Sequence, residues 1–174
     1  MLDTLHRRAV VPKAILAVVL VFGGATVAWA WWASHQPFAG CAIEDLTEGR
    51  RLALSQFSDT VKQLLTLSTT LTALGAALLL GLKQGQKLTE ARRILILSSV
   101  CCFVLSTYFA LFWLGRLAEI HWLECPGLVT QPFMKSMFVA NTLFFALGLG
   151  LMGLIVLSAA FEKVGEDGHE PARK

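Results

Sequence analysis

The stretch ILILSSVCCFVLSTYFALFWLG, Ile94–Gly115, decides the fold of this chain. It contains no charged residue and is about as long as the 20 apolar residues that a helix needs to cross a bilayer core. Three further apolar stretches lie along the 174-residue chain, at Ala14–Ala33, Val61–Leu82 and Phe133–Phe161. Because backbone groups in hydrocarbon must be paired within their own segment, each stretch is expected to be a helix. The sequence therefore predicts an all-α, four-helix transmembrane bundle.

The composition is typical of a chain whose surroundings are mostly lipid. Apolar residues make up 55% of the chain and charged residues only 16%, whereas soluble domains average about 25% charged residues. Four spans leave few residues for anything else, so the whole chain, 1–174, is expected to form a single membrane domain. The charged segment 162–174, which contains Gly and Pro, is expected to be a flexible cytoplasmic tail.

Lysine and arginine are unevenly divided between the two sides of the predicted bundle. If the connections alternate across the membrane, one side holds Arg7, Arg8, Lys13, Lys83, Lys87, Arg92, Arg93, Lys163, Arg173 and Lys174. The other side holds Arg50, Arg51, Lys62, Arg116 and Lys135. The positive-inside rule places the richer side in the cytoplasm, which predicts an antiparallel up-down-up-down bundle with both termini cytoplasmic. Five tryptophans then lie at or near the outer interface, where such rings are enriched: Trp29, Trp31, Trp32, Trp113 and Trp122.

The start of the chain also has features of a secretory signal peptide. Arg7 and Arg8 precede an apolar run, and Ala28-Trp29-Ala30 has the small-x-small form of a cleavage site. We interpret this segment as an uncleaved first transmembrane helix, so that the chain is a multi-pass protein.

The connections between the spans are short, and two of them are expected to extend helices. The stretch Ile43–Phe57 has acidic residues early and basic residues later. This order suits a helix dipole, so we expect either a short interfacial helix or an extension of the second span. The polar turn Lys83–Glu90 makes the second and third spans antiparallel neighbours. The third helix is expected to continue beyond Arg116 toward the turn at Pro126-Gly127.

Two of the four cysteines, Cys41 and Cys125, lie in the predicted outer loops. A periplasmic or extracellular location permits a disulfide between them. Such a bridge would tie the first helical hairpin to the second and contribute about 2–4 kcal/mol. The same loops contain His35 and His121, and two imidazoles with two thiols suit zinc or copper. A metal site is therefore the alternative use of these residues.

The sequence contains no pattern typical of an enzyme, and we predict no catalytic residue, no cofactor and no nucleic-acid partner. No span interior carries Asp, Glu, Lys, Arg or His, the usual marks of proton relays and ion pathways. Quinone-linked disulfide-forming enzymes use cysteine pairs at short spacing, whereas Cys101 and Cys102 are vicinal and are interpreted as small interior residues. The spacing of Arg116 and His121 matches a ribonuclease motif, but it lies on the outer side, away from RNA.

Small and weakly polar residues mark the faces through which the spans are expected to pack, because lipid provides no hydrophobic force for helix association. At about 100° per residue, such residues line one side of a span. The predicted packing residues are Thr66, Thr69, Thr70, Ala73 and Ala77 in the second span, Ser99 and Ser106 in the third, and Ala146, Gly150 and Gly153 in the fourth. These faces are expected to meet in the bundle centre, so Gly150→Leu or Ala146→Leu is expected to loosen it.

Asn141 is the one strongly polar side chain placed well inside a span. An unpaired amide in hydrocarbon is costly, so we expect Asn141 to form a hydrogen bond with another helix. A ligand or ion role and a contact with another subunit are the alternatives.

The second span also provides a resemblance to known proteins. Val61–Leu74 reads VKQLLTLSTTLTAL, and the third span begins with ILILSS at Ile94–Ser99. These stretches resemble uncharacterised small bacterial four-helix integral membrane proteins, in which the pattern K-Q-L-x-T-L-S/A-T-G begins a span. Thr70 stands where that pattern often has Gly. The resemblance implies a helical fold and a bacterial membrane, and it implies no activity and no site residue.

From these observations we expect a non-catalytic accessory or interaction subunit of a bacterial cytoplasmic (inner) membrane. It would bind another membrane protein through its helix faces and outer loops, as an immunity-type protein that blocks a pore-former does. The alternative is a self-assembling small pore or channel, lined by the Thr and Ser faces of the second and third spans. The expected partners are the lipid bilayer and either another membrane protein or further copies of the chain.

Thiol counting tests the pairing of Cys41 with Cys125. In protein purified without reductant and then denatured, a maleimide reagent should label Cys101 and Cys102 only, because a disulfide withdraws two thiols. All four cysteines should be labelled after reduction. Labelling of all four before reduction would contradict the bridge, and zinc or copper found in the purified protein would support the metal site.

Overall fold

The computed structural model of the chain consists of four α-helices: α1 (Leu2–Ser34), α2 (Glu48–Gly81), α3 (Glu90–Trp122) and α4 (Pro132–Asp167). The structure describes residues 2–34, 48–81, 89–123, 128 and 131–167, and side chains within 10–33, 48–80, 89–123, 128 and 131–158. Each helix contains a stretch long and apolar enough to cross a membrane: Val10–Ala33, Glu48–Leu80, Glu90–Trp122 and Pro132–Ser158. The predicted all-helical fold with four candidate spans is therefore confirmed.

The helices are longer than the predicted spans. Each has 33 to 36 residues, which corresponds to about 50 Å at 1.5 Å per residue, whereas the hydrocarbon core is about 30 Å thick. α2 is continuous from Glu48, so the described part of Ile43–Phe57 extends the second span. α3 continues past Arg116 to Trp122. α4 reaches Asp167, so the first six residues assigned to the tail belong to a helix.

α3 lies at the centre of the bundle and packs against all three other helices. Its most extensive interface is with α4, and α4 also contacts both flanking helices through aromatic rings. The Phe22 ring of α1 lies 6.0 Å from Phe144, centroid to centroid, and the Phe57 ring of α2 lies 4.9 Å from Phe138. In the described part of the chain, α1 and α2 share no substantial interface. The core is therefore an α3–α4 pair with α1 and α2 at its flanks.

Two glycines bring the flanking helices close to α3. A Cβ atom added at Gly23 of α1 would lie 2.5 Å from Leu105, and one added at Gly75 of α2 would lie 2.5 Å from Val100. These two α3 residues are five positions apart in the sequence, which is about 140° around a helix of 3.6 residues per turn. α1 and α2 therefore pack on different faces of α3.

The packing face of α2 differs from the predicted one. Val61, Ser68 and Gly75 are buried, and their seven-residue spacing places them along one side of the helix. The predicted residues Thr66, Thr69, Thr70, Ala73 and Ala77 are exposed. We call these five residues the threonine–alanine face. It lies on the opposite side of α2, because positions 73 and 75 are about 200° apart, and it does not meet the bundle centre of the isolated chain.

In α4 the close approach to α3 lies at Gly148 rather than at the predicted Gly150. A Cβ atom at Gly148 would lie 2.7 to 2.9 Å from three atoms of the Phe103 ring, whereas nothing lies within 4 Å of one at Gly150 or Gly153. Ala146, Gly150 and Gly153 are exposed. Leucine at 146 or 150 therefore meets open space in the isolated chain, which corrects the expectation that it loosens the bundle.

Alanine substitutions at Gly148 and Gly150 form a matched pair that tests this packing. Both changes gain about 1 kcal/mol of helix propensity, but only Gly148→Ala forces the buried Phe103 ring to move. Gly148→Ala should therefore be less stable than Gly150→Ala by about 1–3 kcal/mol, the usual range for overpacking. Unfolding in mixed detergent with increasing sodium dodecyl sulfate measures both values. Equal stability of the two variants would contradict the α3–α4 interface.

Candidate functional site

Three polar side chains meet where α2, α3 and α4 come together. Ser68 donates a hydrogen bond to Ser106 Oγ at 3.1 Å, and Ser106 donates to Asn141 Oδ1 at 2.7 Å. Each of the three residues has 0% of its surface exposed. We call Ser68, Ser106 and Asn141 the polar junction.

The polar junction lies halfway along the bundle. Ser106 is sixteen residues from either end of α3, and it accepts from one neighbouring helix while donating to another. Hydrocarbon supplies no competing hydrogen-bond partner at that depth. The two bonds therefore favour one rotation and one depth of α2, α3 and α4 relative to each other.

A second buried hydrogen bond holds α3 to α4. Ser99 Oγ donates to the backbone carbonyl of Gly148 at 2.9 Å, next to the close approach of Phe103. Ser99 and Ser106 are seven positions apart and so lie along one side of α3. The structure thus brings Ser99, Ser106 and Asn141 of the predicted packing residues into the interior.

Ser68 is the member of the polar junction that the sequence analysis did not select. It lies in a run of hydroxyl residues, Ser68-Thr69-Thr70, so the presence of a hydroxyl group does not identify the inward position. The signal that distinguishes Ser68 is its seven-residue spacing from Val61 and from Gly75, which together mark a side of α2 that carries no charged residue between positions 61 and 75.

The polar junction retains hydrogen-bonding capacity. Asn141 Nδ2 is buried and has no hydrogen-bond partner among the described residues. The junction consists of hydroxyl and amide groups that are bonded to one another between helices. Its chemistry therefore suits helix association.

The other predicted sites fall largely outside the described residues. Cys41 and Cys125, and with them the disulfide, are not among those residues, and neither is His35. His121 is exposed at the end of α3. Within the described part of the chain, no group of three or more metal-binding side chains occurs. The disulfide and the alternative metal site therefore stay predictions.

Polar contacts also connect the helices near their ends. Lys13 of α1 and Glu90 of α3 form an exposed ion pair at 2.9 Å. Arg92 donates to the Ser158 carbonyl of α4 at 3.2 Å. At the opposite end of α3, Arg116 pairs with Glu119 within the same helix and so connects no two helices. Exposed ion pairs contribute little to stability, so these contacts complement the interior packing rather than replace it.

The hydroxyl groups of the threonine–alanine face are satisfied within α2. Thr66 donates to the Lys62 carbonyl at 3.0 Å, Thr69 to the Leu65 carbonyl at 3.0 Å and Thr70 to the Thr66 carbonyl at 2.8 Å. The face therefore presents small, smooth residues whose polar hydrogens need no external partner.

Comparison of the chain with protein-family models, with curated proteins and with solved structures finds no match. Any function is therefore inferred from the arrangement of the side chains alone. The polar junction and the threonine–alanine face differ in whether another helix already covers them. The polar junction is internal and already engaged between helices, whereas the threonine–alanine face is external and contacts no other helix extensively in the described residues.

A double-mutant cycle measures the central bond of the polar junction. The variants Ser106→Ala, Asn141→Ala and their combination should show a coupling free energy of about 0.5–1.5 kcal/mol, the range found for hydrogen bonds between transmembrane helices. The control pairs Ser106→Ala with Thr142→Ala, because exposed Thr142 donates to its own helix. Its coupling should stay below about 0.5 kcal/mol. Equal coupling in both cycles would contradict the Ser106–Asn141 bond.

Proposed function

We propose that the protein is a non-catalytic integral subunit of a bacterial cytoplasmic membrane, which binds another membrane protein through the threonine–alanine face and the outer loops. The observation that carries the proposal is the exposure of that face in the isolated chain. Residues of this size and polarity are characteristic of interfaces between transmembrane helices, where they let two backbones approach closely.

The surface of α1 provides the contrast. Its outward residues include Val18, Leu20 and Val21, each more than half exposed, and such branched apolar side chains are as apolar as the lipid tails around them. Large residues of this kind favour contact with lipid, whereas the threonine–alanine face offers little side-chain volume to lipid. α1 also exposes alanines such as Ala25, so the exposed threonines are what distinguish the threonine–alanine face from the surface of α1.

The charged residues at one end of the face extend it toward the membrane surface. Asp59 and Lys62 form an i,i+3 ion pair at 3.5 Å, one to two turns before Thr66. Both side chains are well exposed, so they are accessible to complementary charges on a partner. A partner helix that follows the threonine–alanine face would reach this pair near the interface, where charged groups are hydrated.

The antiparallel up-down-up-down topology is part of the same proposal. The order of contacts supports it, because Ser99 bonds to Gly148 whereas the later residue Ser106 bonds to the earlier residue Asn141. α2 and α3 contact each other in the same reversed order. The excess of lysine and arginine on one side supports a cytoplasmic location for both termini.

Reporter fusions test this orientation. Green fluorescent protein, which fluoresces when it folds in the cytoplasm, should be bright at either terminus. Alkaline phosphatase, which is active only outside the cytoplasm, should be inactive there. The same phosphatase inserted next to Cys125 should be active, because that loop is proposed to face outward. An active phosphatase at either terminus would contradict the orientation.

Co-purification from native membranes tests the binding function. The wild-type protein should retain a second membrane protein after extraction in mild detergent, and Ala73→Leu should reduce its recovery several-fold by filling the threonine–alanine face. Ala25→Leu is the matched control, since Ala25 is exposed on α1. Both variants should fold normally. Equal recovery with the two variants would contradict the proposed surface.

The alternative function is a self-assembling pore, and the exposed hydroxyl groups of α2 are the observation that favours it. Several copies packed around the threonine–alanine face would place threonine oxygen atoms along a shared path, where their lone pairs can replace water around an ion. Conductance of liposomes that contain only this protein separates the two functions. Ion flux that Ala73→Leu abolishes would favour the pore over the accessory subunit.

A further inference from the structure

One side of α3 is open to the membrane, although α3 is the central helix of the bundle. Leu97, Val104 and Leu111 are 42%, 51% and 56% exposed, and their seven-residue spacing places them along one line of the helix. Arg93 is exposed as well, and at 100° per residue it falls within about 40° of the same line. We call Arg93, Leu97, Val104 and Leu111 the open α3 strip.

The open α3 strip lies between the two flanking helices. Leu105 contacts α1 and Val100 contacts α2, and these side chains are about 140° apart around α3 with Val104 between them. Two helices that each pack about 9 Å from α3 at this angle have axes about 17 Å apart. Since a helix with its side chains is about 10–12 Å across, roughly 6 Å remains between their surfaces. The strip is therefore the floor of a gap that is too narrow for a further helix to reach.

A hydrocarbon chain fits this gap better than a helix does. Packed carbon atoms lie about 4 Å apart, so the gap admits one extended chain. The apolar residues of the floor are large and branched, and side chains of this size keep a neighbouring backbone at a distance. The open α3 strip thus differs from the threonine–alanine face, whose small residues suit a helix.

Positive charge lies at one end of the open α3 strip. Lys13 of α1 pairs with Glu90 at 2.9 Å, about one turn before Arg93. Arg92 donates to the Ser158 carbonyl of α4, whereas none of the ion pairs among the described residues includes Arg93. Three cations and one carboxylate leave two positive charges at this end. Of these cations, Arg93 lies on the strip itself.

We propose that the open α3 strip binds one anionic phospholipid, whose phosphate group pairs with Arg93 and whose acyl chain lies over Leu97 and Val104. A guanidinium and a phosphate form strong charge-assisted hydrogen bonds, which are frequently bidentate. The depth also matches, because the rise from Arg93 to Val104 is about 16 Å and one leaflet supplies half of a hydrocarbon core of about 30 Å. This inference involves neither the threonine–alanine face nor a protein partner, so it does not depend on the function proposed above.

Native mass spectrometry of the detergent-solubilised protein tests the headgroup contact. With equal amounts of phosphatidylglycerol and phosphatidylcholine, the wild type should retain phosphatidylglycerol several-fold more. Arg93→Gln should lower the apparent affinity for phosphatidylglycerol about fivefold, the loss expected for one basic residue near an anionic lipid. Arg51→Gln is the matched control, because it removes the same charge from an exposed position near the start of α2, and it should leave this affinity unchanged. Equal retention of the two lipids, or an equal loss in the two variants, would overturn the proposal.

A second pair of variants tests the acyl-chain contact. Val104→Trp should reduce phosphatidylglycerol retention several-fold by filling the gap between α1 and α2. Val18→Trp should leave retention unchanged, since Val18 is 66% exposed and lies about 140° around α1 from Gly23. Both changes are at exposed positions, so both variants should fold. Equal retention in the two variants would overturn the proposal. A dimer that Val104→Trp dissociates would also overturn it, because a helix of a second copy would then occupy the strip.

Discussion

The structure depends on one constraint, which is that polar groups in hydrocarbon must be paired inside the protein. The backbone meets this constraint by forming four long helices. The polar side chains meet it in two ways, since the exposed threonines of α2 bond to carbonyls of their own helix, whereas the buried serines and Asn141 bond between helices. Hydrogen bonds within one helix do not restrict which helix packs beside it. Hydrogen bonds between helices fix which two helices are neighbours.

Close packing then determines how the helices associate, because lipid offers no hydrophobic advantage for burying apolar groups. Each helix that packs on α3 presents a glycine to one of its side chains: Gly23, Gly75 and Gly148. Such contacts gain dispersion energy along the interface and bring backbones near enough for Ser99 to reach a carbonyl of α4. Packing and hydrogen bonding are therefore cooperative at the α3–α4 interface.

The number and position of the helices follow from the sequence, because a run of about 20 apolar residues has one stable form in a bilayer. Asn141 was recognisable as an interior residue since it is the one amide deep in a span. The packing faces were harder to predict. Gly148 and Gly150 are equally small and about 200° apart around α4, and only the position of Phe103 decides between them. On α2, threonines that bond to carbonyls of their own helix have the same composition as residues of a packing face. Ser68 lies next to Thr69 and Thr70, so residue type alone does not distinguish the inward position.

The asymmetry between the two flanking helices connects the fold to the proposed function. α1 and α2 each pack one side on the α3–α4 pair, so each leaves the opposite side to the membrane. Valines and alanines share that side of α1, whereas exposed threonines and alanines cover part of it on α2. Lipid alone would place no demand for small residues on α2. A partner helix would favour small residues there, because only small side chains allow its backbone to approach closely. The Asp59–Lys62 pair supplies charges at the end of the same face.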